Sequence, residues 1–388
     1  MVSRGLTVMS VLASAGVGAA LLTGVADADT GSSGSCSWGQ ELSPRTLDQF
    51  NVAFPDSAAS YWILPYEVGP DTSITVTGTF PDARYMSFNT YDRTLSNFSA
   101  GGLDSALPDS RIVRDAGGDT FTVTVRPDAQ AGQANTLPLA PSGVTGGIGF
   151  LIYRVYLPEG GPEAVALPSV TLNGKGATRT LGSCVGGPTN GAITAALDAI
   201  PQVGLPRNPT SAFTRVTGAG FFPNGDIAYL AAGVTRPADG RVIVVRGKAP
   251  AVPSPDMRYF SLCSELAVLP GPVVRNTLPD GSVDVGCRDD TQTALDASGN
   301  YTYVVADESQ RAAVEAIPGA TFVPWSLEHP ETKHLLLFRN MLPAGDFAPA
   351  IQNVAPDSGP AHAEALMGAY YPRTAECSLG DLAVGACR

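Results

Sequence analysis

From about residue 50 onward the chain alternates short apolar runs with turn residues. Stretches such as ITVTGTF (74–80), RYMSFNTY (84–91), FTVTVR (121–126) and FLIYRVYLP (150–158) are rich in Val, Ile, Thr, Tyr and Phe, and Gly, Pro, Asp or Asn separates each from the next. Runs of this length and composition predict antiparallel strands. Helical periodicity is confined to ITAALDAI (193–200), SQRAAVEAI (309–317) and AHAEALMGAY (361–370).

The series of strands occurs twice. PDARYMSFNTY (81–91) reads like PDMRYFSLCSE (255–265). In the same order FPDSAASYW (54–62) matches FPNGDIAYL (222–230), ITVTGTF matches VIVVRGK (242–248), FTVTVRPDAQ (121–130) matches YTYVVADESQ (301–310), and FLIYRVYLP matches LLLFRNMLP (335–343). The expected fold is therefore all-β: two tandem β-sandwich domains, jelly-roll-like, from an internal duplication, with few short helices. A length of 388 residues suits two domains. The expected boundaries are a signal peptide at 1–28, a first copy at 29–190, a linker with a short helix at 191–215, and a second copy at 216–388 ending in a disulfide loop.

Four arginines recur with the strands. Alternation puts Arg84, Met86 and Phe88 on one face, and Arg258, Phe260 and Leu262 on one face of the matching strand, so the arginine side is expected to be the core side. Arg154 and Arg339 sit inside nearly all-apolar strands that read as buried on both faces. A buried unpaired charge is strongly unfavourable. All four are thus expected to be structural, each held by an ion pair or carbonyl clamp inside its own copy.

RYMSFNTYD (84–92), NTLPLAP (135–141) and GFLIYRVYLP (149–158) together resemble the exported bacterial family catalogued as domain of unknown function 1214. The resemblance covers about 80 residues of the first copy. Thr136 stands where that family has tryptophan, and the second copy offers only Val323-Pro324-Trp325. The second copy, with SLC, VDVGCRDD and GNYTYVV, resembles uncharacterised secreted actinobacterial proteins. What the resemblance implies is a β-sandwich and export; it carries no chemistry.

Composition narrows the partners. Arg4, an apolar run from Leu6 to Val25 and the close Ala26-Asp27-Ala28 have the layout of a secretory signal cut after Ala28. No later segment is long and apolar enough to span a bilayer, so the expected location is secreted, with no transmembrane segment after signal removal. Six cysteines in an exported chain read as three disulfides, Cys36–Cys184, Cys263–Cys287 and Cys377–Cys387. A net charge of −12, with 24 basic and 36 acidic residues, argues against nucleic acid. With three histidines and no zinc-ribbon spacing, no metal and no cofactor is expected.

Two stretches carry candidate chemistry. PWSLEHPETKH (324–334) gathers Trp325, Glu328, His329 and His334; an imidazole beside a carboxylate can act as a general base. The insert CRDDTQTALDASGN holds Asp289, Asp290, Asp296 and Asn300, but lacks EF-hand spacing, and an Asx turn accounts for part of it. Trp62, Tyr66 and Tyr91 do not recur and, with Trp325, are the candidate ligand surface. There is no G-x-S-x-G. The reading is a secreted or cell-envelope-associated binding or structural protein, its partner an extracellular glycan or envelope component. The alternative is an extracellular hydrolase or lyase acting on a polysaccharide or ester.

Overall fold

A computed structural model describes residues 36–174, 176–184, 211–216 and 221–387. The expected signal peptide and the ITAALDAI helix lie outside them. In the first half the strands are β1 (Gln40–Leu42), β2 (Ala59–Glu67), β3 (Ser73–Thr79), β4 (Ala83–Tyr91), β5 (Ser99–Ala100), β6 (Leu103–Asp104), β7 (Ala106–Pro108), β8 (Thr120–Arg126), β9 (Thr136–Pro138), β10 (Ile148–Pro158), β11 (Ser169–Gly174) and β12 (Ala177–Leu181). The second half has β13 (Thr214–Val216), β14 (Ile227–Val234), β15 (Arg241–Lys248), β16 (Met257–Leu266), β17 (Arg275–Thr277), β18 (Val283–Val285), β19 (Cys287–Asp289), β20 (Asn300–Ala306), β21 (Ala320–Pro324), β22 (His334–Pro343) and β23 (Arg373–Ser378). Three short helices accompany them among the described residues, α1 (Arg311–Glu315), α2 (Pro360–Met367) and α3 (Leu379–Ala383). The fold is all-β.

Each half pairs two sheets, and the strand orders match. The first half has β1-β2-β10-β4-β7 and β12-β11-β3-β8-β9; the second has β13-β14-β22-β16-β19 and β21-β20-β15-β23. Register agrees as well: Arg154 lies between Tyr61 and Ser87, and Arg339 between Tyr229 and Ser261. Between the first pair of sheets lie Trp62, Leu64, Ile74, Val76, Met86, Phe88, Val123 and Tyr153. Leu230, Ile243, Val245, Phe260, Leu262, Tyr303 and Phe338 fill the second.

The sequences explain where the halves diverge. ITVTGT in β3 alternates, so Ile74 and Val76 are buried while Thr77 and Thr79 face solvent. The matching VIVV of β15 is apolar on both faces, and its outer side, Val242 and Val244, is covered by Val314 of α1 and Leu382 of α3. A continuous apolar strand marks a sheet covered on both sides. Thr214–Val216 pairs with β14 as its edge strand.

The two halves meet through the outer faces of their β10 and β22 sheets, with Ala59, Tyr85 and Tyr156 packed against Ile227, Tyr259 and Met341. This corrects the expectation that the arginine side of β4 and β16 is simply the core side. Met86 and Phe88 do enter the core, but Arg84, at the strand entry, turns to the other half. The opposite face, Tyr85, Ser87, Asn89 and Tyr91, is buried too.

Reciprocal contacts join the halves. Arg258 Nε donates to the Arg84 carbonyl at 2.6 Å and Arg84 Nη1 to the Arg258 carbonyl at 3.4 Å. Arg84 pairs with Asp290 at 2.9 Å, and Arg258 with Asp109 at 2.6 Å. The two FP turns are exchanged as arms. Phe54 packs on Ala231, Leu335 and Leu337 of the second half, and Phe222 on Ile63, Tyr91, Phe150 and Ile152 of the first. Arg339 Nη2 donates to the Phe54 carbonyl at 2.8 Å, and Arg154 Nη2 donates to that of Phe222. The carbonyl clamps of Arg154 and Arg339 and the ion pairs of Arg84 and Arg258 therefore run between the halves, while Arg339 also keeps an internal ion pair with Glu265 and Arg154 an internal hydrogen bond to Tyr91, as expected. Both arms pass through left-handed backbone, at Ala53 and Phe54 (φ 63° and 53°) and at Phe221 and Phe222 (58° and 53°). Such residues cost roughly 1–3 kcal/mol each unless surroundings enforce them. Docking on the opposite half is what enforces them here.

All six cysteines are bonded, as Cys36–Cys184, Cys263–Cys287 and Cys377–Cys387. No helix among the described residues is long and apolar enough to cross a membrane.

Candidate functional site

The 324–334 stretch does not assemble a catalytic cluster. Trp325 is buried, its Nε1 donating to the Pro330 carbonyl at 2.9 Å. His334, 0% exposed at the start of β22, stacks on Trp325 with centroids 3.7 Å apart and planes 6° from parallel. Its Nδ1 lies 2.8 Å from Ser264 Oγ, a serine–histidine contact. Burial pulls the imidazole down to about 3, so it is neutral at ordinary pH, and Ser264 is also 0% exposed. Both members of this pair are closed off from solvent. Glu328 and His329 are exposed on the turn above. The sequence places these residues close together, but β22 carries its first side chain into the core.

The proposed aromatic residues form no common surface: all four are buried, and of them Trp62 lines the pocket at the edge of the first half. Trp62 and Tyr66 are buried, Tyr66 donating to the Leu139 carbonyl at 2.6 Å and Trp62 stacking on Tyr153. Tyr91 donates to the Pro223 carbonyl at 2.7 Å and accepts from Arg154, so it belongs to the arm contact. The oxygen cluster also comes apart. Asp290 pairs with Arg84, Asp289 Oδ1 accepts from the Thr291 amide at 2.7 Å, and Asp296 caps an Asx turn through the Ser298 and Asn300 amides. Among the described residues the one trio of converging metal-ligand types is Asp56, Cys263 and Cys287, whose sulfurs are joined to each other.

What the fold does build is a pocket at the edge of the first half. It has a volume of about 280 Å³ and is lined by Trp38, Glu41, Arg45, Trp62, Glu163 and Val165, beside the Cys36–Cys184 bridge. Edge strand β1 sets Glu41 opposite Trp62. The chain then turns into the 3-10 turn Pro44–Thr46, which returns Arg45 to Glu41, Nε to Oε1 at 2.7 Å, while Ser43 Oγ donates to the same oxygen at 2.6 Å. Partial burial pushes Glu41 up, but the Arg45 and Ser43 hydrogen bonds outweigh it and hold the carboxyl below its usual range. Trp38 Nε1 donates to the Pro168 carbonyl at 2.7 Å, fixing the wall below. The remaining wall is the 3-10 turn Pro162–Ala164.

The second half fills the same groove. Arg215 opposite Leu230 takes the place of Glu41 opposite Trp62. The chain from β22 to β23 runs through residues 344–372 and contains α2, which packs against β13, whereas β10 to β11 takes only residues 159–168. Ala350, Ile351, Ala363, Met367 and Tyr371 from the longer connection complete the second core. The first half has no counterpart, and the pocket is the space left. Its walls offer two carboxylates and one guanidinium already paired to one of them, so the pocket is net acidic and rich in acceptors. Such a lining suits a small ligand that brings hydroxyl or ammonium donors.

None of Glu41, Arg45 or Glu163 stood out in the sequence. Their signal is the contrast between the copies, a long 344–372 connection against a short one, and it lies outside the five matching blocks.

No family model matches the chain, and no curated protein does. Its fold is similar to that of an uncharacterised protein from Burkholderia cenocepacia, with a TM-score of 0.52 and 14% identity, covering 89% of this chain and 82% of that one. A protein from Vibrio parahaemolyticus aligns with a TM-score of 0.41 and 14% identity over 83% of this chain and 89% of its own.

Proposed function

We propose that this chain is an exported binding protein, two duplicated sandwiches locked into one scaffold, with its ligand site in the pocket beside Cys36–Cys184. The observation that carries this reading is the contrast between the halves: the second closes the groove with α2 and core residues, and the first leaves it lined by Glu41, Arg45 and Glu163. Three disulfides support an extracellular or envelope location, where such bonds persist. The resemblance of the first copy to the exported family of domain of unknown function 1214 belongs to the same proposal. The ligand is small, because about 280 Å³ is near the lower end of ligand pockets. It carries donors, which fits a glycan unit or another hydroxyl-bearing envelope component.

A glycan array followed by titration calorimetry on any hit tests this, with Val165→Trp as the variant that fills the pocket. Saturable binding that Val165→Trp abolishes, while the fold and melting point hold, supports the site. Binding unchanged in that variant would move it elsewhere.

The alternative hydrolase reading has one observation in its favour, that Glu41 and Glu163 line one cavity. Glycosidases use such a pair. Release of reducing ends from a bound glycan, lost in Glu163→Gln, would establish it in place of simple binding.

A further inference from the structure

The two exchanged arms dock on sites that match in backbone and differ in charge. Beneath the first arm, Arg339, Glu265 and Asp56 are all buried. Arg339 Nη2 donates to Glu265 Oε1 at 3.2 Å and its Nε lies 3.9 Å from Asp56 Oδ2. Beneath the second arm the positions matched to Glu265 and Asp56 hold Tyr91 and Asn224, and Arg154 donates to the neutral oxygens of Tyr91 and Phe222. One site thus sets two carboxyl groups against one guanidinium, while the other bonds its guanidinium to neutral groups, its nearby Asp226 being held by Tyr85 and Arg111 and acting on Arg154 only through space.

With both carboxyls ionised the first site would bury a net negative charge, which is costly. One bound proton removes it. The donors show which carboxyl holds that proton. Asp56 receives three: Tyr259 Oη at 2.9 Å, Ser261 Oγ at 2.8 Å and the Ala58 amide at 3.1 Å. Glu265 receives Arg339 alone, and its Oε2 has no partner.

We propose that the Asp56–Arg339–Glu265 cluster is a proton-dependent latch for the first arm: a proton on Glu265 keeps Phe54–Asp56 docked on the second half, and its loss frees that arm while the second arm stays closed. Burial raises Glu265 to about 8, with Arg339 opposing and Asp56 adding to the rise. The other groups facing the cluster are Tyr259 on its own strand, Tyr229 on β14, and Tyr61 and Tyr156 from the first half. Burial pushes Tyr61, Tyr156 and Tyr259 upward, so those three stay neutral through the range in which Glu265 titrates. Closing the arm raises the affinity of Glu265 for its proton. Closure is therefore complete at low pH, weakens by up to roughly tenfold per pH unit as pH rises from the ordinary carboxyl value of 4.5 to the closed value of about 8, and levels off above it.

Hydrogen exchange resolved by residue reads this directly. The Ala53 and Phe54 amides bond to the Pro270 and Gly271 carbonyls at 2.8 and 2.7 Å and report the first arm; the Phe222 amide, bonded to the Leu95 carbonyl at 3.0 Å, reports the second. After correction for the intrinsic pH dependence of exchange, protection at Ala53 and Phe54 should fall by up to about tenfold per unit between about pH 4.5 and 8 and level off above that, while Phe222 stays level throughout. Glu265→Gln should make the first arm as level as the second. If that variant does not fold, Asp56→Asn, which installs the residue the other arm carries at this place, should flatten the response in its stead. A fall in both arms together in the native chain, or an unchanged fall in either folded variant, would overturn the proposal.

Discussion

Arg154→Met and Arg339→Met remove the same side chain from matched positions with different surroundings, and their costs should differ. At Arg154 the variant strips the Phe222 carbonyl of its donor, while Tyr91 keeps its bond to Pro223. An unmet buried acceptor costs about 1–3 kcal/mol, and removal of a buried charge offsets part of that, so a net loss of about 1–2 kcal/mol is expected. At Arg339 the variant strips the Phe54 carbonyl and also leaves Asp56 and Glu265, 2% and 0% exposed, without their cation. Breaking a buried pair from one side costs about 3–5 kcal/mol. Urea unfolding at pH 7 with a shared slope should therefore place the Arg339 variant about 2 kcal/mol below the Arg154 variant. Equal losses, or a larger one at Arg154, would refute the assignment of the counter-charges. Either variant melting like the native chain while losing a ligand would make that arginine part of a site.

Three further outcomes follow from the same contacts. His334 should show no imidazole titration by NMR between about pH 5 and 9, because burial holds it near 3; a midpoint close to 6.5 would mean that the Trp325 stack opens. The pH profile of stability combines two groups of opposite sign. His334, depressed in the fold, adds stability as pH rises from about 3 to 6.5, and Glu265, raised in the fold, removes it from about 4.5 to 8 at about 1.4 kcal/mol per unit. Their sum gives a plateau between about pH 4.5 and 6.5 and a decline above it; a profile still rising at pH 7.5 would contradict this pair. Replacing both Cys36 and Cys184 with alanine should cost about 3–5 kcal/mol, since the bridge closes a separation of 148 residues, and should also weaken pocket binding. The Cys377–Cys387 bridge, closing 10, should cost less and leave binding intact.

Much of the fold was legible because it is local. Strand runs, turns and the five repeated blocks are set by side-chain alternation, and the paired registers of Arg154 and Arg339 follow from them. The reason for the repeats was not legible. A buried arginine demands a partner, but nothing in FLIYRVYLP says that the partner is the Phe222 carbonyl of the other copy. Of the partner carboxylates, Asp109 sits in a turn that looks ordinary in sequence, and Asp290 stood out only as one of an oxygen cluster, with nothing to mark it as the partner of Arg84. Density of polar residues misled at 324–334, where one side chain faces the core and its neighbours face water. The pocket was hidden for the opposite reason: it is made by what the first copy omits, and an omission leaves no motif.

Scanning calorimetry of the intact chain bears most directly on the account, whose central claim is that the repeated residues weld two sandwiches into one unit and leave the pocket for function. Reciprocal docking predicts a single transition with equal calorimetric and van't Hoff enthalpies, which Phe54→Ala and Phe222→Ala each move as a whole. Two separable transitions, with each variant shifting only one, would contradict it.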